Sequence, residues 1–242
     1  MISIKNLTKK FGENTAVDNL NLDIARGELF SFLGPNGAGK TTTIKLMTGL
    51  LKPTSGEILI GGYDIQKDAV NAKRLIGYIP DFPFLYEKLT AREFIEFIGG
   101  LYNMDSGDIG KNAEELFEIF EMTSYVDNLI EDYSHGMKQR LVMCASLIHA
   151  PELIIVDEPM VGLDPKSSRI VKKMLKEKAM SGVTVFLSTH TLSVAEELSD
   201  RVGIIHKGRL IALGSVETLR DMAHNPSGNF EDIFLELTEG KA

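Results

Sequence analysis

Residues Gly34-Pro35-Asn36-Gly37-Ala38-Gly39-Lys40-Thr41 place glycine, lysine and threonine at the spacing of a phosphate-binding loop. Glycines let backbone N–H groups turn inward as a nest for phosphate oxygens. A helix opening at the loop adds unpaired N–H groups and the positive end of its dipole. Lys40 can reach the β- and γ-phosphates, and the Thr41 hydroxyl can ligate Mg²⁺. The apolar run 29–33 leads in, and Thr42 to Met47 leads out at helical spacing, so the strand–loop–helix order is complete. A glycine-rich turn matching by accident would lack these flanks. The chain is expected to bind a nucleoside triphosphate.

A second cluster follows another apolar run. Residues 153–156 are Leu-Ile-Ile-Val and end in Asp157-Glu158-Pro159. Four apolar residues suit a strand buried on both faces, and ligands of open α/β sheets sit at the carboxyl ends of such strands. There Asp157 would hold Mg²⁺, and Glu158 would orient or deprotonate an attacking water. Alone, the pair reads equally well as solvated acids capping a strand; the phosphate loop upstream favours the chemical reading. His190 follows a third apolar run, 183–187, from where it could reach a γ-phosphate. Ser134 is placed as the N-cap of a helix and, with Gly136, forms a second anion site. Residue chemistry alone does not separate that site from a plain capped helix.

These residues need a scaffold, and the chain supplies one. Runs at 2–7, 17–24, 29–33, 57–60, 75–79, 153–156, 184–187, 202–206 and 209–213 read as strands. Thr90-Ala91-Arg92-Glu93 is a capping box opening a helix with Phe94, Phe97, Ile98 and Leu101 on one face. Helical patterns recur over 109–120 and 166–180. His224 to Gly228 reads as a break before a short terminal helix. The expected fold is α/β: a P-loop core with an antiparallel β portion at the N-terminal side. The chain reads as one domain, core about 1–85 and 141–242, with a helical insertion at about 86–140.

Composition sets the outer limits. The 242 residues carry a net charge of −8, which argues against broad, nonspecific nucleic-acid binding. The one cysteine, Cys144, excludes an intrachain disulfide and lies at core spacing. No secretory signal is evident, and no apolar run approaches the roughly 18 residues of a membrane span.

In this order the motifs resemble the nucleotide-binding subunit of an ATP-binding cassette (ABC) transporter, over essentially the whole chain. The matching elements are the loop 34–41, the hinge at Asp81, the signature Ser134-His135-Gly136, Asp157 and Glu158, Gly162-Leu163-Asp164, and His190. The resemblance implies that Phe11 stacks on adenine and that Lys40, Thr41 and Thr42 hold phosphates and Mg²⁺. It implies Glu158 as catalytic base, Asp164 at a subunit interface and His190 on the γ-phosphate. It further implies a head-to-tail dimer in which Ser134 and Gly136 of one copy close on ATP held by the other. The implied partner is a separate polytopic permease, through which the cytoplasmic subunit would sit peripherally on the inner face of the membrane, with no nucleic acid expected. Two departures stand out: His135 and Met137 alter the usual signature, and Asp81 replaces the hinge glutamine. Such departures resemble exporter subunits. A soluble ATPase of the same family, acting on ribosomes or nucleic acid, is the alternative; those carry two cassettes or a long coiled-coil insertion, and this chain has neither.

Overall fold

The apolar strands of the sequence become the middle of one sheet. In the computed structural model, which describes residues 1–223 and 229–239, the strands are β1 (Ile2–Phe11), β2 (Asn14–Ile24), β3 (Leu29–Leu33), β4 (Ser55–Ile60) and β5 (Tyr63–Asp64). They continue as β6 (Ile76–Ile79), β7 (Leu153–Asp157), β8 (Thr184–Thr189), β9 (Arg201–His206) and β10 (Arg209–Gly214). The helices are α1 (Lys40–Met47), α2 (Ala69–Arg74), α3 (Ala91–Leu101), α4 (Ser106–Ile119), α5 (His135–Leu147), α6 (Pro165–Met180), α7 (Leu192–Leu198), α8 (Val216–Met222) and α9 (Phe230–Glu239). The expected break at 224–228 lies outside the described residues.

Six strands form a sheet in the order β10-β9-β3-β8-β7-β6, parallel except for the edge strand β10. A second, antiparallel sheet has the order β2-β1-β4-β5. The α/β class and the antiparallel N-terminal portion are therefore as the sequence predicts. Alternation explains how the layers stack, since successive side chains of a strand face opposite sides. On β7, Leu153 and Ile155 pack with the antiparallel sheet and α1, while Ile154 and Val156 pack with the helical layer. On β3, Phe30 and Phe32 face the antiparallel sheet, and both rings meet Phe186 of β8 at centroid distances of 5.7 and 5.5 Å.

The helical layer is α3, α4, two 3₁₀ turns and α5. The capping box forms as read: the Thr90 hydroxyl accepts from Glu93 N, and Glu93 accepts from Thr90 N. The buried face of α3 is rotated from the expected one. Ala91, Phe94, Ile95 and Gly99 are buried, whereas Phe97 and Leu101 are exposed. The cause is close packing on α4, where a Cβ at Gly99 would meet Ile109 Cγ1 at 2.6 Å, so the small residue and not the large ones takes the contact. Cys144 is fully buried among this layer's side chains, and burial pushes its thiol pKa up. Among the described residues no helix is long and apolar enough to cross a membrane.

One titratable side chain makes the fold acid-sensitive. His149 stacks on Tyr102 at 3.7 Å, and its Nε2 lies 3.1 Å from the Ile76 carbonyl, so that nitrogen donates. Nδ1 is then the bare nitrogen, buried with no partner. Burial pushes the His149 pKa down to about 4. With the folded value below the unfolded one, the unfolded chain binds more protons between pH 6.5 and 4, and stability falls as pH drops through that window. The loss attributable to His149 should be on the order of 2–3 kcal/mol. Denaturant melts at pH 7 and pH 4.5 check this: His149→Gln should lose measurably less than the wild type, and equal losses would refute it.

Candidate functional site

β3 delivers the chain to the phosphate loop from the centre of the sheet, between β8 and β9. Gly34 N donates to the Thr189 carbonyl at 3.3 Å, tying the loop to the end of β8. The loop turns into α1 through Gly39 at φ +109°, where a Cβ would also strike the Ala16 carbonyl oxygen. Only glycine fits there. Lys40, at the first position of α1, is 6% exposed, and its Nζ donates to the Gly34 carbonyl at 2.7 Å and the Pro35 carbonyl at 3.3 Å. The ammonium is thus held within the loop it serves.

β7 delivers the acids. Asp157 is buried; Ser188 Oγ donates to its Oδ1 at 2.9 Å, and the Thr41 hydroxyl bonds it as well. Burial raises the Asp157 pKa, the two hydroxyls oppose the rise, and the charges of Asp81 and Glu158 add to it. A carboxylate paired with a hydroxyl is a hard oxygen donor set, which suits Mg²⁺. Among the described residues no group of three or more His, Cys, Asp or Glu side chains could hold a metal ion.

Glu158 follows in the left-handed region, φ +50°, an uncommon conformation for a residue with a side chain. Its N–H still donates to the Ser188 carbonyl at 3.0 Å. The turn brings Oε1 to 3.5 Å from Lys40 Nζ and 2.9 Å from His190 Nδ1. Neither approach is an aligned hydrogen bond, so this buried oxygen remains an open acceptor. Three residues, Lys40 at the start of α1 and Glu158 and His190 just past the ends of β7 and β8, meet at one point.

A cleft of about 570 Å³ opens over the loop. Phe11 stands at its rim with Lys9 Nζ 4.9 Å from the ring centroid, and Asn36, Gly37, Thr42 and Asp81 also line it. Asn14, Thr15, Ala16, Lys207 and Gly208 complete the wall. None of these last five belongs to a motif, and the only sequence signal was a Lys-Gly pair between two strand runs.

Ser134 and Gly136 do not line this cleft. Ser134 caps α5 through its Oγ, which accepts from Met137 N at 3.3 Å. The capped-helix reading is therefore met, and neither Ser134 nor Gly136 reaches the cleft over the phosphate loop. The neighbouring motifs do touch one another. A Cβ on Gly162 would lie 3.1 Å from the His135 ring, and Phe82 is 6.4 Å from that ring, centroid to centroid. Asp164 caps α6, with Oδ1 accepting from Lys166 N and Ser167 N at 2.9 and 3.0 Å. The Ser167 hydroxyl and these N–H groups hold its pKa down.

The family described as "ABC transporter" matches residues 17–161, which include the phosphate loop and both acids. The chain belongs to the ABC transporter family. This ABC subunit is similar to the linearmycin resistance ATP-binding protein LnrL of Bacillus subtilis (strain 168), 40% identical over 98% of this chain and 75% of the relative. Among solved structures, an ATP-binding subunit of an ABC transporter superposes with a TM-score of 0.93, at 30% identity, over 98% of this chain and 99% of the other. The dimeric post-hydrolysis state of the ATP-binding cassette MJ0796, bound to ADP and phosphate, superposes with a TM-score of 0.82. That match has 29% identity and covers 89% of this chain and 98% of the cassette. The ABC subunit is an ATP-binding subunit and an ATPase.

Proposed function

We propose that this ABC subunit hydrolyses ATP in a head-to-tail dimer and drives export through a separate membrane permease, on whose cytoplasmic side it docks. The observation that carries the dimer is the position of Ser134 and Gly136 outside the cleft that holds Lys40, Thr41 and Glu158. A second copy, turned to present its α5 N-terminus, would add the missing anion site. Phe11 would stack on adenine, while Gly34, Pro35, Asn36, Gly37, Ala38, Gly39, Lys40, Thr41 and Thr42 would surround the phosphates. Mg²⁺, when bound, would be held by Thr41 and Asp157 with Asp81 beside them, and would neutralise charge on the phosphate oxygens. Glu158 would take a proton from water, and His190 would contact the γ-phosphate and hold Glu158 in place. Differential binding of ATP to closed and open dimers would then do work on the permease.

Docking of the permease is assigned to an apolar groove of about 670 Å³ between the sheet and the helical layer. Phe82, Phe84, Leu101 and Leu50 line it and are exposed. The helical part, 86–140, would carry the docked segment as a lever. Similarity to a linearmycin resistance protein supports export of an antibiotic-like cargo.

Light scattering on Glu158→Gln protein tests the central claim. The mass should double with ATP and revert with ADP; a monomer at saturating ATP would count against the dimer. With the permease present, Phe84→Ala should lose stimulated hydrolysis while folding is kept, and full stimulation would remove this residue from the groove's role.

A further inference from the structure

The nucleotide cleft contains a second cation that the chemistry above leaves unused. Lys207 lines the cleft from the turn between β9 and β10, where Arg209 pairs with His206, so the connection is a two-residue hairpin of Lys207 and Gly208. Both residues have positive φ, +47° and +80°. That is the pattern of a type I′ turn, whose first position favours asparagine, aspartate or glycine. A lysine there accepts a backbone conformation that suits it poorly, and strain of this kind concentrates at functional sites.

The turn is also held from both sides. Gly208 N donates to the Ala38 carbonyl of the phosphate loop at 2.9 Å, and the Gly208 carbonyl accepts from Asp18 N of β2 at 2.9 Å. Arg209 Nη2 lies 2.6 Å from Asp18 Oδ2. Arg209 is thus neutralised next door, whereas Lys207 makes no ion pair among the described residues. A Cβ on Gly208 would sit 3.1 Å from the Ala16 carbonyl oxygen, so the turn abuts the wall between Phe11 and the loop. Lys40 and the start of α1 serve the β- and γ-phosphates, and Phe11 serves the base.

We propose that Lys207 is a nucleotide-binding residue whose ammonium meets the ribose and α-phosphate of an adenosine di- or triphosphate. The assignment rests on the reading of this cleft as the ATP site. It gives the cleft two cations at opposite ends of the phosphate chain, one fixed by the loop and one by the hairpin.

Substitution by asparagine separates charge from backbone, because asparagine suits the left-handed turn better than lysine does. Calorimetric titration with Mg²⁺–ADP should show Lys207→Asn raising Kd roughly 3–10-fold at about 0.05 M salt, the scale of one partly screened charge contact. The effect should shrink to less than about 2-fold at about 0.5 M salt, where the Debye length is only a few ångströms. Lys207→Arg should stay close to the wild type, and the melting temperature of ligand-free Lys207→Asn should not fall. Equal ADP affinity in Lys207→Asn and wild type would overturn the proposal. So would an equal loss in the arginine and asparagine variants, which would assign the effect to turn shape. Lys40→Ala run alongside separates the two levels: weakened binding there with none in Lys207→Asn rejects only the hairpin cation. No weakening in either rejects the cleft as the nucleotide site.

Discussion

Glu158→Gln should bind ATP normally and hydrolyse it roughly 10²–10⁴-fold more slowly, the usual contribution of a positioned general base. Glutamine preserves the volume and can still sit beside His190, but its amide cannot accept the proton that leaves water. The effect should be large because the carboxylate is already aimed. Its left-handed backbone swings Oε1 between Lys40 and His190 with no aligned donor on it, leaving the lone pair free for a water. Binding should survive or tighten, since a negative charge 3.5 Å from Lys40 Nζ disappears. Single-turnover hydrolysis and a nucleotide titration on the same preparation measure the two effects separately. Wild-type turnover would refute the assignment of the base.

Lys40→Ala should act on the other quantity and weaken ATP binding about 10–100-fold, the worth of one or two charge-assisted hydrogen bonds. The ammonium now donates to the Gly34 and Pro35 carbonyls, so it is pre-set inside the loop and needs little ordering when phosphate arrives. Alanine removes the charge and also leaves Glu158, 13% exposed, without its nearest permanent cation. A modest fall in melting temperature should therefore accompany the loss of affinity. Unchanged ATP affinity would contradict a phosphate role for Lys40.

The central strands and the loop were legible because they draw on unambiguous signals. Residues 29–33 and 153–156 are apolar throughout, and the glycine-lysine-threonine spacing has no competing structural use. What stayed hidden had weak or divided signals. The helices α2, α7 and α8 run six to seven residues, too short for their periodicity to stand out. On α3, large residues at 97 and 101 outweighed Gly99 in the sequence pattern, although the close approach of α4 selects the small residue. The strand β1 continues to Phe11 past Asn6, whose φ of +49° breaks the alternation that a strand reading relies on. At the site, Lys207 belongs to no motif. Its place in the cleft arises from hydrogen bonds linking segments far apart in the chain, which spacing along one segment cannot reveal.

The alternation of β7 between two layers has a consequence for how this protein can change over time. Its odd-numbered residues answer to the antiparallel sheet and its even-numbered ones to the helical layer until the strand ends at Asp157. One inserted or deleted residue would exchange the two sets and turn the acids at the strand's end away from Lys40. Replacements of similar size are tolerable there, whereas length changes are not. Changes in length should therefore be borne by the loops and the helical layer, the parts that the proposed second copy and permease would contact. The same chain can be refitted to new partners while its chemistry stays fixed.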